Sequence, residues 1–381
     1  MIWTMYEISE LHKLLGKYPN KPWSWEAVSS NPALAIEYCD KHPEMPWSFY
    51  YGISWNPNLT MEYVDKHPEK AWNWYALSRH RNVTMAYVEN HPRKPWDWCG
   101  ISANPNLTVE YIREHPDKPW NWQEISRNPI LTTKFIDDHP EERWDFYWIS
   151  RNPNVSLHYV TQHLDKPWNW YAGISSNPNL RMEFVEDHPD KPWNWYEISR
   201  HCNVTMTYIE NHTEKPWVWR GISANPNLTV EYIEEHPDKP WDWYAISENP
   251  NLTIKYVETH LDKSWNWIII SERFMVTMEY VENHPEMPWD WRGISKNANL
   301  TMEYVDEHPE KPWNWCLMSW NYFSSHPRVR KRLPHVSEKQ RALLQEMHEK
   351  FDMPPMVDKR PVFRTGGFGY WEGWNTVNEI E

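Results

Sequence analysis

Cysteine and glycine are scarce in this chain: 381 residues include four Cys and ten Gly. Cys39, Cys99, Cys202 and Cys316 stand far apart, with neither a CxxC pair nor a metal-ligand spacing. That reads as reduced thiols in a cytosol-like compartment rather than a disulfide framework. So little Gly, with no hairpin signals, argues against Gly-rich aromatic repeats of the kind that bind choline or sugars through exposed rings. No apolar run is long enough to cross a bilayer. The start, MIWTMYEISE, lacks the basic and apolar regions of a secretory signal. Positive charge is also short, with 39 Lys and Arg against 53 Asp and Glu and a net charge of −14. That balance argues against a general nucleic-acid binder and against anionic membranes, both of which need clustered cations. Walker, GxSxG, HExxH and GxGxxG motifs are absent. The chain is therefore read as a non-enzyme, with no catalytic residues, no metal and no cofactor.

What the chain has in abundance is Trp, 30 residues in all. From Trp23 to Trp313 a Trp recurs thirteen times at intervals of 24 or 25 residues, and in eleven of the thirteen a second Trp lies two places on. A period of this size is the signature of a solenoid or array. The organisation expected is a degenerate N-terminal repeat or cap over 1–22, tandem helical repeats over 23–320, a C-terminal capping helix region over 321–351 and a flexible aromatic and Gly-containing tail over 352–381.

One unit, Trp96 to Pro119, reads WDWCGISANPNLTVEYIREHPDKP. Asp97 is a helix N-cap residue, as the equivalent Asn, Asp or Ser is in most other units. A short helix from Trp98 to about Ser102 follows, and Asn104-Pro105 stops it. Thr108 caps a second helix, Val109 to about His115, which Pro116 ends. Helices this short are unstable alone in water. They are expected to be held by stacking, with Trp96, Trp98, Ile101, Leu107, Tyr111 and Ile112 joining a continuous core. The predicted fold class is all-α, an α-solenoid of short helix–turn–helix repeats with terminal caps. Two units carry an extra residue before their Ile-Ser step, at Tyr50-Tyr51-Gly52 and Tyr171-Ala172-Gly173, where a bulged first helix or loosened turn is expected. Three others lose the loop Asn, to His80, His201 and Arg273.

The pattern W-[ND]-W-x-x-I-S-x-N-P-N-L-T-x-E-Y-[IV]-x-x-H-P-D-K-P resembles a Trp-rich tandem repeat of proteins encoded by large DNA viruses of amoebae, the mimivirus-like and related giant viruses. The resemblance covers about residues 1–320. It implies an α-solenoid of short helix pairs and a viral source, and it carries over no catalytic or binding residue.

Function has to be read from what varies. Twelve of the 19 His share one repeat position at the end of the second helix, among them His115. There an imidazole bonds a free carbonyl or favours the negative end of the helix dipole. The residue after Ile-Ser changes freely on the fixed frame: Trp55, Arg79, Arg127, Arg151 and Arg200 are examples. This strip is expected to face solvent and to meet an acidic protein partner. A basic run, Arg328 to Arg332, and an apolar-striped helix after Ser337 follow the array. The expected role is a non-enzymatic scaffold for protein–protein interaction in host cytoplasm or virion. The alternatives are a structural virion component, or a nucleic-acid or small-ligand binder using the Arg strip and the basic run.

Overall fold

The structure is a computed structural model that describes residues 9–273 and 275–321. The expected C-terminal helix, basic run and tail lie outside the described residues. All regular structure among the described residues is helical, arranged as the repeat demands. In the unit quoted above, the first helix spans Trp98–Ser102 and the second Val109–Glu114. Asp97 Oδ1 accepts from the Gly100 N–H at 2.9 Å, and Thr108 Oγ1 from the Tyr111 N–H at 3.1 Å. Where the unit lacks a capping oxygen, at Val218 and Arg181, no side-chain cap forms.

Ile101, Leu107, Tyr111 and Ile112 are buried as expected, while Trp96 and Trp98 are half-buried and pack against that core. The first Trp of a unit stands edge-on to the second Trp of the preceding unit, Trp120 to Trp98 at 5.1 Å between ring centroids, or to the Phe that replaces it, Phe49 and Phe146. Such an edge-to-face pair contributes about 0.5–1.5 kcal/mol beyond area burial. The indole N–H does not face water either: Trp120 Nε1 donates to the His115 carbonyl at 2.9 Å.

Hydrogen bonds between units follow the same repeat. Asp97 N–H donates to Ser78 Oγ of the preceding unit at 2.9 Å. Asn104 Nδ2 donates to the carbonyls of Ser78 and Val83 at 2.7 and 3.1 Å, and Asn106 Nδ2 to those of Arg81 and Val83 at 2.8 and 2.9 Å. These Asn ladders answer backbone carbonyls that short helices leave open. They also explain the departures in the loop. His80 Nε2 reaches the Asn56 carbonyl at 3.0 Å while its Nδ1 accepts from the Asn82 N–H at 3.2 Å. Arg273 Nη1 donates to Ser247 and Asn249 carbonyls at 3.0 and 2.8 Å. Each substitute keeps the donor that the missing Asn supplied.

The two longer units have a short 3-10 turn, Ile53–Trp55 and Ile174–Ser176, in place of the first α-helix. Gly52 serves close approach there and not an unusual dihedral: its φ is −120°, and a Cβ would lie 2.2 Å from Ser29 Cβ and 2.7 Å from the Ser48 carbonyl.

The ends of the array meet. Ser24 N–H donates to Ser319 Oγ at 3.0 Å, and Asn31 Nδ2 to the carbonyls of Ser319 and Asn321 at 2.8 and 2.9 Å. Trp315 stands edge-on to Trp23 at 5.0 Å. These are the bonds that Asp97, Asn104 and Trp120 make at other junctions, in the same register, between unit thirteen and unit one. Among the described residues unit thirteen has a first helix, Trp315–Met318, and helix Glu10–Lys17 takes the place of its second. Tyr18 OH donates to Asp306 Oδ1 at 2.5 Å and Lys17 pairs with Asp306 at 2.6 Å. Trp23 Nε1 donates to the Tyr18 carbonyl at 2.8 Å, as Trp120 does to that of His115. The solenoid of residues 9–321 is therefore closed into a ring. Helix Glu10–Lys17 covers this end of the array by standing in the place of a second helix. Leu14-Leu15-Gly16-Lys17-Tyr18-Pro19-Asn20-Lys21-Pro22 runs in register with Tyr111 to Pro119.

Consecutive first helices approach each other more closely than consecutive second helices. In a ring, equivalent points of neighbouring units lie closer together the nearer they are to the axis. The first helices therefore form the inner side. Helices packed ~8–10 Å apart in thirteen steps place their axes ~17–21 Å from the centre, which leaves an opening on the order of 20–30 Å across once helix half-widths of ~5–6 Å are removed.

Candidate functional site: the inner wall

On each first helix the second Trp, the Ile and the Ser face the core. The residue after the second Trp and the residue after the Ser do not, and these two places vary from unit to unit. Most of the exposed aromatic surface lies here. Tyr50, Tyr51, Tyr171, Tyr244 and Trp320 are five of the seven large hydrophobic residues that stand exposed, Tyr51 at 64%.

The predicted strip maps to this wall, but it is half-buried rather than fully solvent-facing. Trp55, Arg79, Arg127, Arg151 and Arg200 are each partly covered. The cause is the aromatic ring one helical turn earlier or in the neighbouring unit. Arg79 donates to Tyr75 OH at 3.0 Å and lies over both the Tyr75 and the Trp55 rings, at 5.7 and 5.9 Å. Arg151 donates to Tyr147 OH at 3.0 Å and lies over the Tyr147 and Trp148 rings. Arg127 is 5.0 Å from the Trp148 ring and 3.4 Å from Glu124. Arg200 lies over Tyr196 at 5.7 Å, with Glu197 3.9 Å away. The structure thus joins the strip to a second set of residues that the sequence reading passed over, namely Tyr75, Tyr147 and Tyr196. The signal for them was present, a Tyr four places before an Arg in three units. Four places is the spacing that puts two side chains on one helix face.

The recurring His occupy the outer side. His115 Nδ1 lies 2.9 Å from the Tyr111 carbonyl, its ring sits 4.1 Å from the Tyr111 ring, and its Nε2 is 3.3 Å from Glu89 of the preceding unit. The carbonyl contact is the one expected at the end of the second helix. The Tyr of the second helix often donates to the same carboxylate of the preceding unit, as Tyr87 does to Asp65 at 2.8 Å and Tyr63 to Asp40 at 2.8 Å. Burial and neighbouring carboxylates push Tyr304 up to about 12.

His80 and His201 behave differently. Burial pushes both imidazoles below the usual His range. The geometry agrees, since Nδ1 must keep a lone pair to accept the Asn82 N–H. Folding favours the neutral form, so their contribution is fully present above the unfolded His pKa of ~6.5 and is lost as pH falls through the lower folded value. Between pH 7 and 5 the wild type is expected to lose more stability than the double variant His80→Asn/His201→Asn, which keeps the ladder without a titrating group. Urea midpoints at the two pH values measure the difference, and equal losses would refute the assignment.

No family model matches this chain, and no curated protein or solved structure matches it either. Among the described residues no helix is long and apolar enough to cross a membrane.

Proposed function

We propose that the ring is a non-enzymatic interaction scaffold whose inner wall receives a protein partner. The observation that carries this reading is the division of labour within each unit. Frame residues repeat around the ring, while Tyr, Trp and Arg gather at the variable places on its inner side. These three side chains concentrate binding energy at protein interfaces. Charge supports the same side: these two first-helix places hold seven cations against three carboxylates, in a chain whose acids outnumber its bases 53 to 39. The resemblance to giant-virus repeat proteins favours host cytoplasm or virion as the setting.

The test is affinity capture from host cells with the wild type and with R79E/R127E/R151E/R200E. A partner retained by the wild type and reduced about tenfold or more in the variant, a loss of at least ~1.4 kcal/mol, is the expected result. Unchanged capture by a folded variant refutes the inner-wall reading. Recovery of capsid or core proteins alone would favour the structural virion role.

A further inference from the structure

Five departures from the frame fall together in units five and six. Ile130 stands where neighbouring units have Asn106 and Asn154, so one rung of the ladder is given up; Asn154 Nδ2, for comparison, reaches the Leu131 carbonyl at 3.2 Å. Glu142 stands where most units have a Lys that can cover the second Trp, as Lys118 covers Trp98 at 5.7 Å. Arg143 replaces the Pro before the next unit, Phe146 replaces a Trp, and Trp148 stands where most units have a small residue. A frame that spends stability at one place is the mark of a site with another use.

A groove of about 740 Å³ opens at this place. It runs along the junctions of units four to six, open to solvent and floored by Trp120, Trp122, Trp144 and Phe146. The corresponding groove at units twelve and thirteen is about half that size, about 360 Å³. There Lys311 covers Trp291 at 5.3 Å, and Arg292 is held by Asp290 at 2.7 Å. Arg143, by contrast, has no carboxylate within ion-pair distance among the described residues. The nearest acid of the floor is already engaged: Asp145 Oδ1 caps its helix through the Tyr147 N–H at 2.9 Å, and its Oδ2 accepts from Gln123 Nε2 at 3.0 Å. Arg151, on the inner wall of the same unit, meets a neutral hydroxyl and two aromatic rings.

We propose that this groove docks an acidic linear segment of a partner protein, with an aromatic or leucine side chain next to its carboxylates. The proposal rests on the scaffold reading above and gives it a location and a ligand class. A free guanidinium fork matches a carboxylate, and half-buried indole rings along an open groove can take an apolar side chain. A small molecule would need a site that encloses most of its surface, which an open groove does not. A peptide laid along it needs only one anchor side chain and its flanking charges.

The experiment uses the full chain and three fluorescein-labelled peptides: one of Glu with Trp and Leu, one with Lys in place of each Glu, and one of Glu and Ser alone. Fluorescence anisotropy should show the Glu–Trp–Leu peptide binding about tenfold or more tighter than either control. R143E should abolish that preference. So should E142K/R143P, which restores the frame of the other units and is expected to fold at least as well as the wild type. R292E, at the smaller groove, should leave binding unchanged. Equal affinity for the three peptides, indifference to E142K/R143P, or a stronger preference for an oligothymidylate would each overturn the proposal. If cellular capture is lost in the four-Arg variant while E142K/R143P captures normally, the scaffold stands and this groove is not its docking site.

Discussion

Deleting residues 1–22 is expected to open the ring and to cost more stability than any single substitution. Helix Glu10–Lys17 places Leu11, Leu14 and Leu15 in full burial. Each Leu→Ala change at such a site costs ~2–5 kcal/mol. The three together approach the whole stability of an ordinary domain, about 5–15 kcal/mol. Loss of the helix also uncovers Trp315 and removes the partners of Asp306, which takes both Tyr18 OH and Lys17. Small-angle scattering should report a larger radius of gyration for the truncated chain, and urea unfolding should become broader as the freed end units melt first. A synthetic peptide of residues 9–22 added in trans should restore the compact form. An unchanged scattering curve after truncation would show that the ends meet without this helix.

Substituting a ladder Asn is the second large effect. Asn104 is fully buried and serves four backbone groups: its amide donates to Ser78, His80 and Val83 carbonyls, and its Oδ1 accepts from the Asn106 N–H at 2.7 Å. Asn104→Ala leaves these groups without a partner in a site that excludes water. Each orphan costs ~1–3 kcal/mol, so a total of about 3–5 kcal/mol is expected after local relaxation. Asn104→Asp should be worse, because it trades the donors for a buried charge. Asn104→His should be mildest, since His80 and His201 already do this work in units three and eight. Denaturation midpoints in the order wild type, His, Ala, Asp would establish the ladder. If the Ala variant matched the wild type, the carbonyls would have to be satisfied some other way.

The unit itself was legible in the sequence because each part of it depends on local rules. Asp97 and Thr108 cap, Pro105 and Pro116 stop, and the apolar residues recur at fixed offsets. Bonds between units were less legible. Asn104 looks like a helix stop and Asn106 like a loop residue, and nothing local says that their amides reach the preceding unit. The same holds for the wall: variability marked Arg79 and Arg151, but only packing reveals the Tyr rings that cover them. Closure was not legible. Trp3 to Ser9, WTMYEIS, copies the start of a unit, so the N-terminal segment reads as a degenerate repeat or cap. That helix Glu10–Lys17 stands in the place of the second helix of unit thirteen follows from the angle between neighbouring units, which no single unit encodes.

That angle constrains how the protein can change. An open solenoid gains or loses a unit at little cost, because its curvature is free to continue. Here thirteen steps share one full turn, about 28° each, and every junction must hold to that share. Removing one unit would ask the remaining twelve to bend by about 2° more apiece. Copy number is therefore part of the architecture, and a tandem array that elsewhere drifts in length is held here to a single count.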